Sequence, residues 1–171
     1  MPITINGNGS ITGITEGLNK PAFRVSLNTD TNISDVTHTT VPFNVVDIDT
    51  DNCFDTSNYT VTPNVAGFYV VFANVTLTTQ NFSVYNVTNL EDTRLFVFKN
   101  TTSIARAQHE PNNNEQAVIT HQTGTIVEMN GTSDFFEVKV YIERQATNPT
   151  NYPRIAGGTH KSFFYGYKLN I

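Results

Sequence analysis

Between Phe54 and Phe72 the chain joins a short strand, a proline turn and a glycine-led apolar strand, and this order limits the fold more than any other stretch. Tyr59, Val61 and Pro63 alternate with Thr60 and Thr62, the period of a strand with one buried face. Pro63 and Gly67 bracket a turn, and every residue from Phe68 to Phe72 is then apolar or aromatic. A strand without polar positions needs cover on both faces, one from its own core and one from elsewhere. A partner subunit is the natural second cover.

The rest of the chain reads the same way. Strands are expected near Ala22 to Leu27, Asn58 to Thr62, Gly67 to Thr79, Arg94 to Asn100, Ile104 to His109, Gln116 to Glu128, Phe135 to Glu143 and Phe163 to Asn170, with no helix. Thr and Asn dominate the polar fraction; Thr favours strands and Asn favours turns, so the composition is that of an all-β protein. Only 15% of the residues are charged, which suits a surface held in an assembly. At 171 residues the chain needs no staple to fold, and the single Cys53 cannot form an internal disulfide. Cys53 reads as a half-buried small residue rather than a nucleophile.

Several segments resemble the C1q and tumour-necrosis-factor-like jelly-roll family. Its signature, an aromatic-Asp run leading through Pro-x-x-x-Gly into an aromatic strand, is similar to Phe54 to Phe72. Pro21 to Leu27 resembles the family's first strand, Val41 to Asn44 its short second element and Arg94 to Asn100 its middle hairpin. Asp134 to Tyr141 resembles the penultimate strand and Ser162 to Leu169 the closing one. The resemblance implies an all-β jelly-roll sandwich over residues 21–171 that forms a homotrimer, with Phe54, Tyr59, Gly67, Tyr69, Tyr165 and Tyr167 as its core signature. It places Phe163, Tyr165, Tyr167 and Leu169 toward the core and Phe164 and Gly166 at the trimer axis. On the signature strand, Tyr69 and Val71 point inward and Phe68, Val70 and Phe72 toward the axis, where His121 would join them as a three-fold cluster.

Residues 1–20 stand apart as a short extended amino-terminal arm. Ile3, Ile5, Ile11 and Ile14 alternate with Thr, Asn and Gly, too little apolar mass to fold alone. The arm is expected either to fray or to dock its isoleucines on a neighbouring subunit or a host structure. The run from Ile5 to Ile14 resembles amino-terminal stretches of phage virion proteins, those of cyanobacterial phages above all, that carry a C1q-like head. That resemblance implies a virion protein made in the host cytoplasm: a trimeric capsid-surface decoration, cement or knob protein bound to the major capsid or another virion protein. The few residues ahead of the head favour a knob over a long fibre. The alternative is the receptor-binding tip of a tail fibre or tailspike, presenting loops to a host surface glycan.

Chemical motifs are scarce. Asp47, Asp49 and Asp51 alternate as in a calcium loop, but Asn52 and Asn58 stand where an EF-hand needs Gly and Glu, so only a non-EF calcium site is open to them and an acidic solvated loop is the default. His38, His109, His121 and His160 lack metal-ligand spacing. No nucleophile elbow or phosphate loop occurs, and Glu128, Asp134 and Glu137 are the carboxylates an acid–base pair would use, so no enzyme is expected. A net charge of −5 without a Lys/Arg cluster argues against nucleic acid, and nothing reads as a signal peptide or membrane span. The long segment from Arg144 to His160, with Asn148, Tyr152 and Arg154, is the candidate partner loop.

Overall fold

The computed structural model describes residues 4–5, 11–12, 20–79, 89–111, 116–145 and 152–171. Its strands in chain order are β1 (Thr4–Ile5), β2 (Ile11–Thr12), β3 (Ala22–Ser26), β4 (Thr31–Asn32), β5 (Thr39–Thr40), β6 (Val45–Asp49), β7 (Phe54–Asp55) and β8 (Thr60–Val61). They continue with β9 (Gly67–Thr78), β10 (Leu90–Lys99), β11 (Thr102–His109), β12 (Val118–Met129), β13 (Phe136–Arg144), β14 (Arg154–Ile155) and β15 (Phe163–Lys168). No helix occurs among the described residues.

Two antiparallel sheets face each other. One runs β12-β9-β15-β3-β6, with β14 and β4 extending it where β15 ends. The other runs β11-β10-β13-β8-β7, with β5 also paired to β13. The arm strands β1 and β2 pair with each other, Ile5 opposite Ile11.

The core follows from strand alternation. Tyr69, Val71, Ala73, Val75 and Leu77 line the inner side of β9, and Leu95, Val97, Phe136, Val138, Val140 and Ile142 answer from the other sheet. At its centre the Phe164 ring meets Phe23 at 5.0 Å, Phe136 at 6.3 Å and Phe43 at 6.4 Å. Such offset and edge-on ring pairs add to the burial term. Tyr69 is fully buried, and its hydroxyl is satisfied by donating to the Val65 carbonyl at 2.7 Å.

Here the structure corrects the expected register of the closing strand. Phe164 is 2% exposed and belongs to the core, while Tyr165, Tyr167 and Phe163 are half-buried on the outer face. The cause is the ladder: Phe164 pairs with Ala73 and Gly166 with Val71, and cross-strand partners share a face. Since Val71 points inward, so does position 166. It must be glycine, because a Cβ there would sit 2.8 Å from the Phe23 ring. Leu169 lies beyond the strand end and is half-buried.

A second correction concerns His121. It is 5% exposed on the inner face of β12, opposite Val75, so it lies between the sheets and does not join a cluster on a three-fold axis. A third concerns the long segment before β15. Its second half holds β14, which pairs with both β4 and β9, and Pro153, Ile155, Ala156 and Gly157 are buried.

Gly131 closes the turn after β12 at φ +71°, where a Cβ would lie 2.3 Å from the Ala66 amide nitrogen. No side chain fits that approach.

Candidate functional site

The outer face of the β9 sheet carries an apolar surface that no strand of the second sheet covers among the described residues. On β9 it presents Phe68, Val70 and Phe72; on β12, Gly124, Ile126 and Glu128; on β15, Phe163, Tyr165 and Tyr167. The ladder aligns them in rows: Ile126, Val70 and Tyr167 across one, Gly124, Phe72 and Tyr165 across the next. Ile126 is 61% and Phe68 40% exposed, and Ile48 at the far edge is 50% exposed. Gly124 has no side chain, and a Cβ on it would meet the Phe72 ring at 3.1 Å.

The rings form a continuous row. Phe72 lies 5.5 Å from Tyr165, Tyr165 6.3 Å from Phe163, and the Arg24 guanidinium sits 5.0 Å above Phe163. Arg24 is held in place by an ion pair with Asp47 and by donating to the Thr159 carbonyl at 2.7 Å. Toward the other end the face turns polar but stays internally satisfied. Asn74 donates to the Lys161 carbonyl at 2.6 Å, Gln122 donates to Asn74 at 2.8 Å, and the Thr76 and Thr120 hydroxyls meet at 2.8 Å. Exposed aliphatic and aromatic side chains beside a satisfied polar rim are features that association surfaces share.

Of the expected axis residues, Phe68, Val70 and Phe72 do lie together on this face. Phe164, Gly166 and His121 do not. Sequence reading missed Gly124, Ile126, Phe163, Tyr165, Tyr167 and Arg24, since only the pairing register assigns them a side. In the core signature Tyr69 is fully buried, Phe54 packs against the core, Tyr59 is half-buried at φ +59°, and Gly67 opens β9 at φ +139°.

The three aspartates of the candidate calcium loop point to different partners. Asp47 pairs with Arg24, and Asp49 accepts the Cys53 and Phe54 amides at 2.9 and 3.0 Å; Asp51 meets Asp49 through its backbone. No three His, Cys, Asp or Glu side chains converge among the described residues. Burial acts to raise the Asp49 carboxyl, but the bonds from Cys53 and Phe54 outweigh it and hold it below the usual range.

Cys53 is buried, and burial together with its bond to Asp49 pushes the thiol up to about 12. A thiol in that state is a poor nucleophile. Cys53 is therefore expected to resist a disulfide reagent in the native protein and to react fully after unfolding, as absorbance of the released thiolate would record.

The carboxylates considered for acid–base work are engaged structurally. Asp134 accepts from Asn100 and the Asn130 amide at 3.0 Å each, and Lys99 bridges it to the Glu128 carbonyl. Glu137 takes the Thr40 hydroxyl and pairs with Lys139 at 3.0 Å. Glu128, Asp134, Lys99, Ala66, Met129 and Asn130 line a cleft of about 280 Å³ that holds no nucleophile paired with a base. In the candidate partner loop Tyr152 is 53% exposed, Arg154 lies 3.9 Å from Asp30, and Asn148 falls outside the described residues. The arm isoleucines Ile3 and Ile14 also lie outside them, and of Ile5 and Ile11 only the backbone pairing is described.

This sheet order, with its two-layer core and bare outer face, is a C1q/TNF-like jelly roll. Solved structures agree. The globular domain of zebrafish complement 1qA is similar at a TM-score of 0.59 and 16% identity, covering 88% of this chain and 98% of that one. Murine APRIL is similar at 0.57 and 12%, covering 86% and 98%, and the Eiger TNF of S. frugiperda at 0.61 and 10%, covering 87% and 92%. No protein-family model matches the chain, and no curated protein sequence does.

Proposed function

We propose that this chain is the head of a homotrimeric phage virion protein, a capsid-surface decoration, cement or knob protein fixed to the particle by residues 1–20. The observation that carries the trimer is the apolar row on one sheet face, where Ile126 and Phe68 are exposed and Val70, Phe72, Tyr165 and Tyr167 are half-buried. Burying such side chains is worth roughly 1.5–3 kcal/mol each, and a lone subunit would leave them in water. Closed point-group symmetry lets one face satisfy every copy. The virion assignment is supported by the resemblance of the Ile5 to Ile14 run to phage arms and by the scarcity of surface charge. The mechanism is mechanical: each trimer caps neighbouring capsid subunits and adds buried area against expansion.

The exposed Tyr152 on a loop away from the bare face favours a second reading, a receptor-binding tip that presents its loops to a bacterial surface glycan. Three copies would multiply a weak contact.

Deleting residues 1–19 separates these readings. The expected result is a head that keeps a mass of about three monomers by light scattering but no longer binds capsids stripped of this protein. Attachment that survives the deletion removes the arm from the proposal, and binding to host cells without binding to capsids selects the second reading.

A further inference from the structure

We propose that His121 is an acid-sensitive latch that holds the seam between edge strands β11 and β12 closed when neutral and loosens it when protonated. Among the described residues β12 and β11 are edge strands of opposite sheets, since β12 pairs there only with β9 and β11 only with β10. His121 bridges the two layers: its Nε2 lies 2.8 Å from the Oγ1 of the fully buried Thr93 on β10. The Thr93 hydroxyl has one proton, which it donates to the His109 carbonyl at 3.1 Å. It can therefore only accept from His121, which fixes the neutral Nε2–H tautomer.

A second proton would put a cation where little can receive it. β9 presents Val75 opposite, and the inward neighbours on β12 are Ile119 and Thr123. Two titratable groups reach the ring. His109 on β11 is bonded to Gln116 at 3.0 Å and repels the imidazolium when charged. Asp92 on β10 attracts it, but that carboxylate is already taken by Arg94 and Gln108. Burial dominates, the His109 charge adds to it, and the histidine is held below its ordinary value of 6.5.

The sign follows from linkage. A histidine depressed in the folded state contributes stability that is complete above the ordinary value and is lost as pH falls from there toward the folded value. The limit is on the order of tenfold in the unfolding equilibrium for each pH unit between them. The loss begins near pH 6.5, above the range in which most carboxylates titrate.

The test uses the full chain and His121→Gln, which keeps an N–H donor for Thr93 but cannot gain a proton. Urea unfolding at pH 7.5, 6.5 and 5.5 and at one protein concentration is expected to show the wild type losing several-fold in its folding equilibrium while the variant loses much less. Parallel losses in the two proteins would overturn the latch. If the variant fails to fold, titration of the wild-type His121 ring carbons by NMR decides: His121 is expected to stay neutral until the pH has fallen below its ordinary value of 6.5, and a His121 that charges at or above that value sinks the proposal.

Discussion

Replacing Phe164 by alanine is expected to cost the fold about 3–5 kcal/mol, the range for removing a fully buried phenylalanine. The ring is 2% exposed and touches Phe23, Phe43 and Phe136, so its removal opens a cavity that the two sheets cannot close without disturbing three other rings. Phe163→Ala, one residue away, should cost the subunit only about 1 kcal/mol, mostly through its cation–π contact with Arg24. Urea midpoints at a fixed protein concentration measure both, since any assembly makes apparent stability depend on concentration. A larger loss at position 163 than at 164 would mean that the closing strand sits in the opposite register.

Ile126→Asp and Val70→Asp are expected to turn the assembly into folded monomers. The two positions face each other across the β12–β9 ladder in the middle of the bare face, so a carboxylate at either would be desolvated in every copy of an assembled ring. An unpaired buried ion costs several kcal/mol; the cost falls on association for Ile126, which is 61% exposed in the single chain, while half-buried Val70 also loses some subunit stability. The dissociation constant should rise by at least about 100-fold, with the circular dichroism of the sheets unchanged. Val36→Asp serves as the control, since Val36 is 58% exposed at φ +52° in a turn away from this face. Light scattering that finds Ile126→Asp and Val70→Asp at the mass of the unaltered protein would remove this face from the interface.

Much of this was legible in the chain. The sides of Tyr69 and Val71 follow from the phase of the family signature that Phe54 to Phe72 resembles, since the apolar run itself has no polar position to mark a face. The closing strand offers no such phase. Phe163, Phe164, Tyr165 and Tyr167 are aromatic on both parities, so periodicity cannot choose between the faces, and only the pairing of Phe164 with Ala73 does. Ile126 was hidden for a related reason: it stands in a strand rich in Thr and next to Val127, and nothing local marks which of the two is buried. β14 escaped notice because two residues between Pro153 and Gly157 carry no period at all, and their pairing with β9 is purely tertiary. His121 was placed on the wrong side of its strand, since a lone histidine among threonines and glutamine reads as outward until the opposite sheet supplies Thr93.

The alternation along β9 and β15 also divides the molecule into two independently editable sets. Positions 68, 70 and 72, with 126 on β12 and 163, 165 and 167 on β15, touch the bare face, while 69, 71, 73, 164 and 166 touch the core. Partner choice can therefore drift, or be rewritten, through the first set while the second keeps the scaffold intact. For the proposed trimer, two versions of this head that differ only at those outward positions would be expected to ignore each other in a mixture, each assembling with its own kind.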